Sequence, residues 1–109
     1  MQIAVVSLFP EMVRTVAEYG VVGRAIERQL AALRIENPRD YATDTHRTVD
    51  DRPYGGGPGM VLKSRPAADA IRAARAAMPE GSPVICLSPS GREFDQAEAA
   101  RLAALPGMI

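Results

Sequence analysis

The sequence is 109 residues long, 47% hydrophobic and 24% charged, which suits one globular domain and excludes a chain disordered throughout. Lys+Arg and Asp+Glu balance at 13 each, so net charge gives no support to a general nucleic-acid binder, and any RNA contact has to come from a local patch. The single cysteine, Cys86, excludes an internal disulfide and a thiolate zinc site, and His46 is the only histidine, so no metal ligand set is expected. The start of the chain lacks a basic n-region and a small-residue cleavage site, and its apolar run is far too short to cross a bilayer. A soluble cytoplasmic protein is expected.

Residues 3–9 form a continuous apolar run rich in β-branched side chains, which predicts a strand buried on both faces of a parallel sheet. Pro10 ends it and opens a short helix over 11–18, interrupted at Gly20. Val22, Ala25, Ile26, Leu30 and Leu33 recur at helical spacing and predict a helix over 21–33, with a short strand near 33–35 stopped by Asn37-Pro38. From 38 to 60 periodicity disappears. A polar, glycine-rich loop of more than about 15 residues is uncommon in a compact domain unless it is functional or disordered.

Order returns with a short strand at 60–62. Ser64 is the expected cap of a helix with Pro66 as its second residue and Ala67, Ala70, Ile71, Ala74, Ala77 and Met78 on its apolar face. Residues 84–87 read as a buried strand, closed by the tight turn Ser88-Pro89-Ser90-Gly91. Asp95 caps a helix to about Ala104, with Glu98 as capping-box partner, and Met108-Ile109 begin a third main strand. The alternation predicts an α/β fold, with a mostly parallel sheet flanked by helices. A chain that stops at the start of a buried strand is expected to be truncated, since domain boundaries favour polar, exposed segments.

Three segments can carry chemistry. Gly55, Gly56, Gly57 and Gly59 leave backbone amides open to a phosphate, nucleobase or cofactor, although the stretch is neither a Walker loop nor GxGxxG and also reads as a flexible surface turn. His46, Arg47, Asp50, Asp51 and Arg52 offer groups for a ribose, a phosphate or a guanine edge, or are a solvated charged loop. Cys86-Leu87-Ser88-Pro89-Ser90-Gly91 lies at the carboxyl end of a strand, where open α/β sheets bind ligands; it also reads as an ordinary strand-to-helix turn with Cys86 a small core residue.

Taken together, Ser7-Leu8-Phe9-Pro10-Glu11-Met12, Gly23-Arg24-Ala25, Asn37-Pro38-Arg39-Asp40, the run from His46-Arg47-Thr48-Val49-Asp50-Asp51-Arg52-Pro53-Tyr54 to Gly59-Met60, and Leu87-Ser88-Pro89-Ser90-Gly91 resemble the bacterial tRNA (guanine-N1) methyltransferases of the trefoil-knot (SPOUT) class. The resemblance covers the whole chain and makes 1–109 the N-terminal part of a SAM-dependent methyltransferase domain, without the knot-closing segment and the C-terminal domain. It implies methylation of N1 of the guanine 3′-adjacent to the tRNA anticodon, S-adenosylmethionine as methyl donor, magnesium as a candidate assisting ion, and a homodimer. It implies that Cys86, Leu87, Ser88, Pro89, Ser90 and Gly91 line the adenosine pocket. Arg24, His46, Arg47, Asp50, Arg52, Tyr54, Gly55, Gly56, Gly57 and Gly59 would meet the tRNA. The family's aspartate base is expected beyond residue 109, so these residues alone are expected to be inactive. The rival reading is a non-catalytic nucleotide- or RNA-binding α/β module.

Overall fold

The computed structural model describes residues 1–109. Strand β1 (Gln2–Val6) is central in a parallel sheet of order β2-β1-β5, with β2 at Ala32–Glu36 and β5 at Gly107–Met108. Helices α1 (Pro10–Glu18) and α2 (Gly20–Glu27) connect β1 to β2. A 3-10 helix (Pro38–Tyr41) follows, then a short antiparallel pair, β3 (Asp50–Asp51) with β4 (Val61–Leu62). Helix α3 (Ser64–Ala77) packs on β1, β2 and the 3-10 helix through Pro66, Ala70 and Ala74, and α4 (Gln96–Ala103) precedes β5. The small alanine face lets α3 approach the sheet closely. The α/β fold with a parallel sheet is as expected.

The local boundaries differ in instructive ways. The first strand stops at Val6 rather than Phe9, and of its side chains only Ala4 is fully buried. Ser7 turns the chain: its N–H extends the ladder to the Glu36 carbonyl at 3.0 Å, and its hydroxyl accepts from the Phe9 N–H at 3.1 Å. The predicted 21–33 helix ends at Glu27, and Leu33 belongs to β2. Gln29 takes φ 58°, the Leu30 N–H reaches the Ala25 carbonyl at 2.9 Å and the Gln29 N–H reaches Ile26 at 2.9 Å. This is a Schellman stop built on glutamine rather than glycine.

Ser64 does not cap α3. It is the first helical residue, Pro66 is the third, and the cap position falls to Lys63 without a side-chain hydrogen bond. Lys63 is held extended because its N–H donates to the Val49 carbonyl at 2.7 Å and its ammonium donates to the Thr48 hydroxyl at 2.6 Å. Asp95 does cap α4, accepting from the Glu98 N–H at 2.8 Å, but the Glu98 carboxylate turns to Arg101 rather than closing a capping box.

Residues 84–87 form no buried strand. Val84, Ile85, Cys86 and Leu87 are exposed, Leu87 at 94%, so Cys86 is not a core residue. One parallel rung remains: the Ile109 N–H donates to the Pro83 carbonyl at 2.9 Å, and the Ile85 N–H donates to the Ile109 carbonyl at 2.8 Å. The segment therefore runs beside β5, in the same direction.

The radius of gyration is 15.7 Å, against about 13 Å for a compact domain of this length. Apolar side chains lie exposed along α1, α2 and the residue that joins them, including Met12, Val16, Tyr19 and Val21. No helix is long and apolar enough to cross a membrane.

Candidate functional site

Parallel strands share one carboxyl edge. β1, β2 and the segment beside β5 therefore deliver three connections to the same side of the sheet: the turn at Ser7, the long stretch after Glu36, and the Ser88 turn. Ligands of open α/β sheets bind outside this edge.

The long stretch is not the structureless loop expected over 38–60. Its first half is anchored at several points. Glu36, 8% exposed, receives the Tyr41 hydroxyl at 2.5 Å and the Arg34 Nε–H at 2.6 Å. Burial by itself pushes the Glu36 carboxyl up, but the two hydrogen bonds and the Arg34 charge outweigh it and hold it below the ordinary carboxylate value. The same bond holds the Tyr41 phenol above its ordinary value. Asn37 caps the 3-10 helix, accepting from the Arg39 N–H at 3.0 Å.

Asp44 accepts from the Thr48 N–H at 3.0 Å and from its hydroxyl at 3.0 Å. The Thr48 backbone bond is the main cause of a lowered Asp44 carboxyl. Val49 is fully buried and pins the stretch to the core. Asp50 follows, half-buried, paired with Leu62 across β3 and β4.

The second half is open. The Gly56 N–H closes a turn on the Pro53 carbonyl at 3.1 Å. Gly55, Gly56, Gly57 and Gly59 all hold positive φ, between 82° and 115°, with nothing within 4 Å of where a Cβ would stand. The conformation demands glycine, and the space around it is free for a ligand. Arg52 and Tyr54 are exposed beside it.

The turn at 88–91 is short and braced by itself. The Gly91 N–H donates to the Ser88 carbonyl at 3.0 Å, the Ser90 N–H reaches the Ser88 hydroxyl at 3.3 Å, and the two serine hydroxyls lie 2.9 Å apart. A Cβ on Gly91 would come within 3.1 Å of the Ser88 carbonyl. No backbone hydrogen bond within the chain uses the N–H of Cys86, Leu87 or Ser88. These donors are exposed at the carboxyl edge, where a planar heterocycle can be read by main-chain groups.

The fold thus gathers Cys86, Leu87, Ser88, Pro89, Ser90 and Gly91 in one turn, and His46, Arg47, Asp50, Arg52, Tyr54 and the four glycines in one loop. Arg24 is set apart, exposed on α2, whose packing is against α1, with no hydrogen bond or ion pair to the other candidates. Sequence reasoning missed Glu36, Tyr41, Asp44, Thr48 and Lys63, which shape the loop. A signal existed for Asp44 and Thr48, an Asp followed four residues later by Thr in a turn-rich stretch, which favours side-chain-to-backbone capping. No group of three or more His, Cys, Asp or Glu side chains is placed to hold a metal ion, and no step is assigned to magnesium.

Comparison with known proteins places this architecture. The family described as tRNA (Guanine-1)-methyltransferase TrmD matches residues 1–109. A tRNA (guanine-N(1)-)-methyltransferase of Methylococcus capsulatus is 55% identical over 109 residues, covering 100% of this chain and 43% of that protein. One from Salmonella newport is 57% identical over 103 residues, covering 94% of this chain and 40% of that protein. The crystal structure of tRNA (m1G37) methyltransferase from Aquifex aeolicus superposes with a TM-score of 0.84 at 28% identity, over 99% of this chain and 48% of that one. The chain therefore spans about two fifths of the length of the curated relatives it matches. Matched from its first residue to its last, the chain belongs to the tRNA (Guanine-1)-methyltransferase family.

Proposed function

We propose that this chain supplies the cofactor wall and the guanosine-facing loop of an enzyme that methylates N1 of the guanine 3′-adjacent to the tRNA anticodon, using S-adenosylmethionine. In this reading residues 1–109 are the N-terminal part of a trefoil-knot methyltransferase domain that works in the cytoplasm as a homodimer. The observation that carries it is the shared carboxyl edge: the short turn and the long loop leave the sheet on the same side, so a methyl donor on one faces a base on the other. The apolar side chains exposed on α1 and α2 support burial against a second subunit.

The residues divide the work. The free N–H groups of Cys86, Leu87 and Ser88 read the adenine edge, and Pro89, Ser90 and Gly91 fix the turn that presents them. When bound, S-adenosylmethionine supplies an electrophilic methyl group on sulfur. The positive-φ glycines let the loop backbone approach an unstacked guanine closely. His46, Asp50, Arg52 and Tyr54 hold its base, ribose and flanking phosphate, and Arg24 meets the tRNA farther away. Guanine N1 must lose its proton during transfer; the resemblance assigns the aspartate that takes it to a position after Ile109. Catalysis here is chiefly positioning and electrostatics.

The test is transfer of labelled methyl from S-adenosylmethionine to an anticodon stem-loop by the full-length protein. The expected product carries the methyl on N1 of the guanine after the anticodon, and replacement of that guanine by adenine abolishes it. Binding without transfer would replace this reading with the non-catalytic module, and transfer to another atom would overturn the assignment of guanine N1. Residues 1–109 alone are expected to give no turnover.

A further inference from the structure

The loop's most conspicuous cation is already engaged. Arg47 donates Nε–H to the Arg39 carbonyl at 3.0 Å, and its adjacent terminal nitrogen pairs with the Asp40 carboxylate. Arg39 answers by donating to the Arg47 carbonyl at 3.4 Å. The Arg47 N–H closes a turn on the Asp44 carbonyl at 3.0 Å. The two adjacent donors that form one edge of a guanidinium fork are thus spent on the chain's own atoms. Arg47 also holds φ 50°, one of two non-glycine residues in the left-handed region. A residue in that region needs its surroundings to keep it there.

The links run in series. Glu36, at the end of β2, holds Tyr41 at the end of the 3-10 helix. Arg39 and Asp40, in the same helix, hold Arg47. Arg47 stands between His46 and the Thr48-Val49-Asp50 run that enters β3.

We propose that Arg47 is a positioning residue, a latch between the 3-10 helix and the 44–51 turn that sets where His46 and Asp50 stand, and not a contact to tRNA phosphate. The inference rests on the functional reading above and assigns one of its loop residues a different role. The alternative is an ordinary surface arginine that lets go of Asp40 when RNA arrives.

Two measurements on the full-length protein separate these. Backbone amide exchange, without RNA, is compared among wild type, Arg47→Ala and Asp40→Ala. The latch predicts faster exchange over residues 44–51 in both variants and unchanged exchange in β1 and α3. Unchanged exchange over 44–51 overturns it. Methyl transfer to an anticodon stem-loop is then measured against salt.

The latch predicts that each single variant raises KM for RNA by roughly three- to five-fold, the range of one exposed charge pair. The double variant is then no worse than the worse single, because both changes break one link. The slope of log KM against log salt and the affinity for S-adenosylmethionine stay as in wild type. A phosphate contact predicts instead that Arg47→Ala lowers the salt slope by about one while Asp40→Ala leaves KM unchanged or lowers it; that result overturns the proposal. Lost S-adenosylmethionine affinity in the single variants also overturns it, by revealing general destabilisation. A wild-type protein that transfers no methyl defeats the functional reading and the RNA role with it, and the exchange data report on the latch separately.

Discussion

Two connections leave the same edge of the sheet and solve opposite problems. The 88–91 turn is short, bonded only within itself, and leaves three consecutive backbone N–H groups free just before it. The stretch after Glu36 is long and divided: residues up to Asp50 are tied to β2, to α3 through Lys63 and to the core through Val49, whereas at the tip the only backbone bond is the Gly56–Pro53 turn and the space beside each glycine where a Cβ would stand is empty. A ligand that is the same in every reaction suits a rigid backbone template. A large, structured substrate suits a fixed shoulder carrying an adaptable tip, which limits the ordering cost of binding to the tip.

Substitutions in the two regions should therefore separate. The largest effect is expected from Asp50→Ala, which should lower kcat/KM for tRNA about a hundredfold, near 2.7 kcal/mol, with little change in S-adenosylmethionine affinity. Equal loss of both would move Asp50 from the RNA side to the cofactor side. Next is Val49→Ala. Removing two buried methyl equivalents should cost about 2 kcal/mol, read as a lower urea midpoint or local exchange protection at the shoulder. A neutral result would mean that the shoulder is not anchored through Val49.

Pro89→Leu should weaken S-adenosylmethionine about tenfold by loosening the turn, with the RNA affinity kept; unchanged affinity by calorimetry would remove the turn from the cofactor site. Smallest is Tyr41→Phe, about 1 kcal/mol for a lost hydrogen bond to a carboxylate. Its pH dependence has a definite sign. Glu36 is held below its ordinary value of 4.5 in the fold, so its stabilising contribution is present above that value and fades as pH falls through the folded one. Wild type and Tyr41→Phe should thus converge in stability as pH falls from above 4.5 through the lowered folded value of Glu36. A gap that persists at full protonation of Glu36 would show that the phenol hydroxyl contributes independently of the Glu36 charge.

The α/β fold was legible because β1 and β2 carry continuous or alternating apolar residues and α3 an alanine-rich face at helical spacing. The stop of α2 was not, because Gln29 stands where glycine or asparagine usually signals a left-handed cap. The exposure of Cys86 and Leu87 was also hidden: an apolar run reports which residues favour burial, not whether the covering surface lies on this chain. At the site, the glycine run announced the tip. The shoulder was illegible because its bonds join Glu36 to Tyr41, Asp40 to Arg47 and Thr48 to Lys63 across a stretch without periodicity, where sequence spacing says nothing about proximity.

The most direct test of the division is amide chemical-shift mapping of the full-length protein, titrated once with S-adenosylmethionine and once with an anticodon stem-loop. The account predicts that the cofactor shifts the amides of residues 86–91 and the RNA those of 46–60, with the Gly55 to Gly59 tip changing most. Cofactor shifts concentrated in the glycine tip, with residues 86–91 unmoved, would contradict it.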